Sequence, residues 1–176
     1  MNYSLRSFRN KVVVHKRAFR RFLTGLEKNT PRGLDNLTSL AEKQVWPEVD
    51  CLSCANCCKT MTPTYTLNDI NRIAAHLGMT TDTFKKNWLR KERNTGDWLN
   101  KTTPCQFLDL KDNKCRIYAV RPADCSGFPH LLKKRMVDYI HVHKQNIELC
   151  PATFKLVEKM MTMLPVAKAL AHREPQ

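Results

Sequence analysis

The residues best suited to chemistry in this chain are its eight cysteines, and Cys51, Cys54, Cys57 and Cys58 fall within eight consecutive positions. Two residues between thiols, twice over, let one tight loop present several sulfurs to a single centre, as zinc knuckles and iron–sulfur loops do. The other four, Cys105, Cys115, Cys125 and Cys150, lie downstream, and none precedes Cys51. Cys51, Cys54 and Cys57 with a remote Cys150-Pro151 reproduce parts of a bacterial iron–sulfur loop, three thiols at two-residue spacing plus a distant Cys-Pro. Cys57 and Cys58 are neighbours and project differently, which leaves one of them for a second centre or as a reactive thiol. Two four-cysteine zinc sites, one iron–sulfur cluster with spare thiols, or one of each remain open.

The competing use of eight cysteines is four disulfides, and compartment decides between them. No secretory signal opens the chain: its first apolar run, Val12-Val13-Val14, sits between Lys11 and His15-Lys16-Arg17. No apolar run of about 18 residues exists to span a membrane. A cytoplasmic setting is therefore expected, where thiols stay reduced and clustered cysteines hold metal.

At 176 residues and 42% hydrophobic, the chain is long enough for one cored domain with an appendage. Its net charge of +14 is uneven: residues 1–32 hold nine Lys or Arg against one acid, Glu27, and the remainder 21 against 15. Bound thiolates offset some of this, since a four-thiolate zinc site carries about −2. A basic surface suits nucleic acid, anionic lipid or an acidic partner, although solubility alone explains many such surfaces.

Around the cysteines, the pattern is mostly helical. Leu5, Phe8, Val12, Phe19, Phe22 and Leu26 recur at helical spacing over residues 5–27, with His15 on the same stripe and Arg6, Arg9, Lys16, Arg17, Arg20 and Arg21 mostly off it. That is either a docking helix with a solvated face or a basic arm for a phosphate backbone or membrane surface. After the turn at Asn29–Gly33, a second helix uses Leu34, Leu37, Leu40, Ala41 and Val45 and ends before Pro47. Trp46 is read as a shield for the centre or as core packing. Thr66-Leu-Asn-Asp69 is a capping box for a helix with Ile70, Ile73, Ala74 and Leu77 on its apolar face, stopped by Gly78. Another helix starts near Thr80 and runs through Phe84, Trp88 and Leu89 until Gly96. Strand-forming residues flanking Asp112-Asn113 predict a hairpin with Cys105 and Cys115 in its arms. Arg121–Pro129 is a sharp turn whose backbone could donate to sulfur. Residues 136–143 alternate and predict a third strand, with His141 and His143 on one face. A helix then uses Phe154, Val157, Met161 and Leu164 up to Pro165, followed by a short helical tail.

At Cys51-x2-Cys54-x2-Cys57-Cys58, Pro104-Cys105-x-Phe107-Leu108, Cys115-x-Ile117-Tyr118-x2-Arg121-Pro122-x2-Cys125 and Cys150-Pro151, the chain resembles the CxxCxxCC zinc- or iron-chelating domain family, also called YkgJ-like cysteine cluster proteins. The resemblance covers roughly residues 50–151 and implies binding of zinc or an iron–sulfur cluster through cysteine. Flagellin lysine N-methylase is similar in its cysteine motif and would imply methyl transfer from S-adenosylmethionine. That activity is not carried over, because the chain has five glycines and no GxGxG-type loop after a strand.

The expected fold is α+β and mainly helical, with a small cysteine-bearing hairpin or sheet among helices. Residues 1–45 are expected as a basic helical arm and 46–176 as the cysteine-cluster domain. All eight cysteines are candidate ligands for an iron–sulfur cluster or zinc, in a redox or enzyme component with His141 or His143 for proton transfer. Arg121 is the candidate for balancing thiolate charge, against a plain salt bridge to Asp109 or Asp124. The alternative is a zinc-stabilised interaction module whose basic helix binds nucleic acid or an acidic partner.

Overall fold

In the computed structural model, which describes residues 4–132 and 135–171, the N-terminal apolar stripe becomes the longest helix, α1 (Leu5–Lys28). Ser4 caps it, its hydroxyl accepting from the Ser7 amide at 3.4 Å. Phe8, Val12, Phe19, Leu23 and Leu26 are buried; Leu23 occupies the place expected of Phe22, which is half-buried. They pack against α8 (Ile140–Asn146) and α9 (Pro151–Ala171). Phe154 meets Phe8 edge-on at 5.7 Å and Phe19 at 4.7 Å between ring centroids. Burying side chains of this size is worth about 1.5–3 kcal/mol each. His15 is exposed at the rim of this cluster and stacks on Phe19.

Gly33, at φ 73°, turns the chain into α2 (Leu34–Val45), whose Leu37, Ala41 and Val45 are buried beside α9. Leu40 faces solvent, and the buried Thr38 takes its place by donating to the Leu34 carbonyl at 2.8 Å. Trp46 is more than a third exposed and donates to Glu42, so it is not a core residue. Residues up to Asp50 and those from Pro129 onward form one compact unit, the helical unit; Cys51–Phe128 form the other, the cysteine unit. Two sequence expectations fail within the helical unit. Residues 136–143 are not a strand: Met136–Tyr139 is a 3-10 turn leading into α8. Met136, Ile140 and His143 are buried at spacings of four and three, so helical burial wins over the apparent alternation. Pro165 lies inside α9, which continues to Ala171; the rest of the expected tail, residues 172–176, lies outside the described residues.

The cysteine unit is built from shorter pieces. They are α3 (Cys51–Cys54), α4 (Asn56–Thr60), β1 (Thr64–Tyr65), α5 (Leu67–His76), α6 (Thr81–Trp88), β2 (Leu89–Lys91), β3 (Trp98–Asn100) and α7 (Ala123–Gly127). The capping box forms as expected, with Thr66 and Asp69 bonded reciprocally, and Gly78 closes α5 at φ 65°. Helix α6 stops at Trp88 rather than at Gly96. Leu89 instead opens an antiparallel pair with β3, and Gly96, at φ 75°, forms its turn. The sheet has the order β1-β3-β2, with Leu99 opposite both Thr64 and Arg90. Tyr65, Ile70, Ile73, Phe84, Leu89, Phe107 and Ile117 make its core. The fold is mainly helical α+β with a small three-stranded antiparallel sheet. The hairpin expected around Asp112-Asn113 is a narrow loop closed by a single bridge, Leu108 to Cys115, and is separate from that sheet. Among the described residues no helix is long and apolar enough to cross a membrane.

Candidate metal centre

The dense cysteine motif folds as two helical turns rather than one loop. Cys51 and Cys54 lie three apart on α3; Ala55, at φ 46°, breaks the helix in the left-handed region that non-glycine residues rarely adopt. The chain restarts as α4, so Cys57 and Cys58 sit on a new axis, with sulfurs 3.9 Å apart. The Cys58 carbonyl accepts from the Cys105 amide at 2.8 Å, which fastens the first motif to the second.

Cys105 and Cys115 are delivered by the loop of residues 105–118. Its arms are joined by Arg116 N to Phe107 O at 2.9 Å and Asp109 N to Lys114 O at 2.8 Å. Asp109 and Asp112 accept from the amides two residues ahead, and Asn113 takes a left-handed conformation at φ 62°. The Asn113 side chain donates to the Ser53 carbonyl at 3.1 Å, a second tie between this loop and α3. The amides of Phe107 and Leu108 face the Cys105 sulfur, and that of Ile117 faces Cys115. These are the sulfur-directed donors expected instead from Arg121–Pro129, which forms α7.

Cys125 is carried by α7, and two carboxylates dock that helix. Asp69, almost fully buried, accepts from the Ala123 amide at 3.0 Å and from Arg72 at 2.6 Å. Asp124 accepts from the Thr64 amide at 3.1 Å. Arg121 stacks its guanidinium 3.9 Å from the Tyr118 ring centroid and donates to the Tyr118 carbonyl at 2.8 Å. Its charge is felt at Cys115.

The thiols of Cys105, Cys115 and Cys125 have raised pKa values, first because burial disfavours the thiolate, then because each repels the others and Cys58. Cys58 is drawn down to about 7, chiefly by a hydrogen bond from Cys57. The phenol of Tyr65 is raised by burial and by the same three thiols, which places it beside them. Cys58, Cys105, Cys115 and Cys125 thus form one electrostatically linked set, drawn from α4, the 105–118 loop and α7. No disulfide joins any of the eight cysteines. Among the described residues, no three His, Cys, Asp or Glu side chains stand close enough together to hold a metal ion as they are.

The donor set nevertheless fits a soft or borderline cation. Burial first, and then nearby thiols, favour the protonated form of Cys105, Cys115 and Cys125, whereas a bound cation reverses that preference, and the amides facing sulfur stabilise the thiolate form. Cys51, Cys54 and Cys57 belong to the same unit, with Cys51 exposed and the other two half-buried; Cys150 is buried in the helical unit. His141 and His143 also lie in the helical unit. They do not share a face: His141 is exposed and His143 fully buried. Among the described residues neither ring nitrogen of His143 has a hydrogen-bond partner, and burial, then the charges of His130 and His141, lower its pKa to about 4. Sequence reasoning missed the reach of Asp69 to α7 and of Asn113 to Ser53. A capping box and an Asp-Asn turn are visible in the sequence, but their long-range partners are not.

A family model described as "CxxCxxCC: Putative zinc- or iron-chelating domain" matches residues 50–151. The uncharacterised protein MJ0661 of Methanocaldococcus jannaschii is 35% identical over 86 residues, 48% of this chain. The match spans about half of that relative's length, 46%. No solved structure matches.

Proposed function

The chain belongs to the CxxCxxCC family, and from that premise we propose that Cys58, Cys105, Cys115 and Cys125 hold zinc or an iron–sulfur centre as four thiolates within the cysteine unit. The observation that carries this reading is that three half-buried thiols, from the 105–118 loop and α7, lie within electrostatic reach of Cys58, with backbone amides facing Cys105 and Cys115. Binding would draw the four sulfurs inward. A zinc ion there would supply folding energy, whereas an iron–sulfur centre would supply one-electron chemistry and make the protein a redox or enzyme component. Arg121 would offset thiolate charge at Cys115. Cys51, Cys54 and Cys57 supply further thiols, and Cys150 is kept as a ligand candidate on its Cys-Pro motif alone. The setting proposed is the cytoplasm, where these thiols stay reduced.

Metal and acid-labile sulfide analysis with a visible spectrum, on protein purified without oxygen, tests this directly. Iron with sulfide and a brown colour supports the redox reading, colourless zinc the structural one. Neither metal in stoichiometric amount would end both.

A second reading concerns α1. Its apolar stripe is buried, which removes the face that a membrane-lying helix would insert. Glu148 pairs with Lys16 and Arg20, and Glu27 with Lys144, while Arg6, Arg9, Arg17 and Arg21 have no ion-pair partner among the described residues. Between Arg9 and Arg17, Val13 and Val14 are 77% and 73% exposed. β-Branched side chains on a solvated helix face gain nothing from phosphates, so this surface favours an acidic protein partner with an apolar centre over nucleic acid. Titrating the full chain with an acidic amphipathic peptide and with a duplex oligonucleotide separates the two. Val14→Ser weakens only the first, and a steep salt slope that depends on Arg17 and Arg21 marks the second.

A further inference from the structure

We propose that Asn100 is a positioning residue of the thiolate centre: its side-chain amide donates to the Cys105 sulfur when that sulfur is held as a thiolate. Asn100 ends β3 and is only 2% exposed. Its own amide is fixed by Thr62, whose hydroxyl accepts at 3.0 Å. Its Oδ1 accepts from two donors, the Tyr65 hydroxyl at 2.5 Å and Gln106 Nε2 at 3.0 Å. Gln106 cannot turn to suit, because the same Nε2 donates to the Trp88 carbonyl at 2.9 Å. Rotating the Asn100 amide would set one NH2 group against another, so the network fixes which end is oxygen.

The other end, Nδ2, is then committed to a direction, and there it is buried with no hydrogen-bond partner among the described residues. The group it faces is the Cys105 thiol. A buried donor left unmade is costly, and native structures keep one only where something completes it. A neutral thiol is a weak acceptor; a thiolate is a strong one. The amides of Phe107 and Leu108 address the same sulfur. Cys105 is therefore faced by donors suited to an anionic sulfur. Outer partners of this kind orient ligands and tune the centre they surround.

This inference rests on the four-thiol reading, and cobalt(II), a coloured probe for tetrahedral thiolate sites, distinguishes the two. The full chain is titrated with cobalt against a competing chelator, as wild type and as Asn100→Asp and Asn100→Ala. Asn100→Asp keeps an oxygen for Tyr65 and Gln106 and replaces only the donor. Both variants are expected to bind cobalt about ten- to a hundredfold more weakly, the usual cost of losing such a partner, with a shifted sulfur-to-cobalt charge-transfer band. Absence of that band in the wild type would overturn the four-thiol reading and this inference with it. A wild-type band unmoved in both variants, even with a lower melting temperature, would reduce Asn100 to a structural residue. If neither variant folds, the wild type loaded with cadmium-113 decides. Scalar coupling between cadmium and the Asn100 side-chain amide protons, transmitted through the Cys105 sulfur, is expected, and its absence from the loaded protein overturns the assignment.

Discussion

The two units hold themselves together by different means. The helical unit rests on long helices, α1 of 24 residues and α9 of 21, whose phenylalanines interlock. The cysteine unit has no helix longer than the ten residues of α5, strands of two or three residues, and a core that reaches its thiol-bearing segments through Phe107 and Ile117. Those segments are pinned by isolated contacts: Cys58 to Cys105, Asn113 to Ser53, Asp69 to Ala123 and Asp124 to Thr64. Apolar burial suffices for the first unit. On the proposed reading a cation would complete the second, as small cysteine-rich domains draw folding energy from metal.

The largest expected effect breaks that contrast outright. Stripping metal with a chelator should release amide-exchange protection over 104–127 and 51–60 while leaving Leu5–Lys28 protected. Equal loss in both units would mean that metal does not distinguish them. Sharper still is a comparison of single thiols. Cys125→Ser should cost at least a hundredfold in metal affinity at the proposed centre, since a four-thiolate site loses a quarter of its ligands and gains an unmatched hydroxyl. Cys51→Ser should leave the spectrum of that centre unchanged. Identical losses in the two variants would place all the thiols in one centre and overturn the partition.

In both units the elements legible in sequence are those marked by strict periodicity or local capping chemistry. The α1 stripe announces itself because every third or fourth residue is apolar, and the Thr66–Asp69 box and Gly78 mark α5 by local chemistry alone. Residues 136–143 mislead because Ile140-His141-Val142-His143 alternates apolar and polar as a strand would, while Met136, Ile140 and His143 share the buried face of a helix. The eight cysteines were plain, but their grouping was not. Neither the left-handed turn at Ala55, a residue with no propensity for it, nor the place of Asn100 beside Cys105 can be read from local sequence.

Acid should take the units apart in a definite order. His143 titrates at about 4 in the folded helical unit, against about 6.5 in an unfolded chain. Between those values the unfolded chain binds the extra proton, so His143 supports the neutral-pH fold and that support fades as pH falls from 6.5 to 4. The full loss is about 3 kcal/mol. His143→Leu should flatten this limb at little cost near pH 7, because neither ring nitrogen has a partner to lose among the described residues; an unchanged acid limb would exclude His143 as its source. Asp69 acts in the same direction, at lower pH. Burial raises its pKa, but hydrogen bonds from Thr66, Arg72 and Ala123 outweigh burial and lower it overall. Its contribution is present above the ordinary carboxylate range and lost only as pH falls through the depressed value. Asp69→Ala should cost about 1–3 kcal/mol and loosen the α7 segment in amide exchange; retention of protection there would sever Asp69 from Cys125.

The smallest effect tests whether the helical unit uses its charges at all. Glu48 lies between Lys155 and Lys159, one turn apart on α9, with Lys159 Nζ at 2.7 Å. Hydrogen bonds from the two lysines pull its pKa down to about 2. Its side chain is nevertheless 41% exposed, so water and salt screen most of that interaction. Glu48→Gln should therefore cost only about 0.2–1 kcal/mol, less in high salt. Being depressed, the Glu48 contribution is complete above pH 4.5 and disappears as pH falls through 2, so variant and parent should converge in strong acid. Chemical denaturation at two salt concentrations measures it. A loss of several kcal/mol, insensitive to salt, would show that ion pairs rather than interlocked phenylalanines carry the helical unit, and the contrast with the cysteine unit would have to be redrawn around charge.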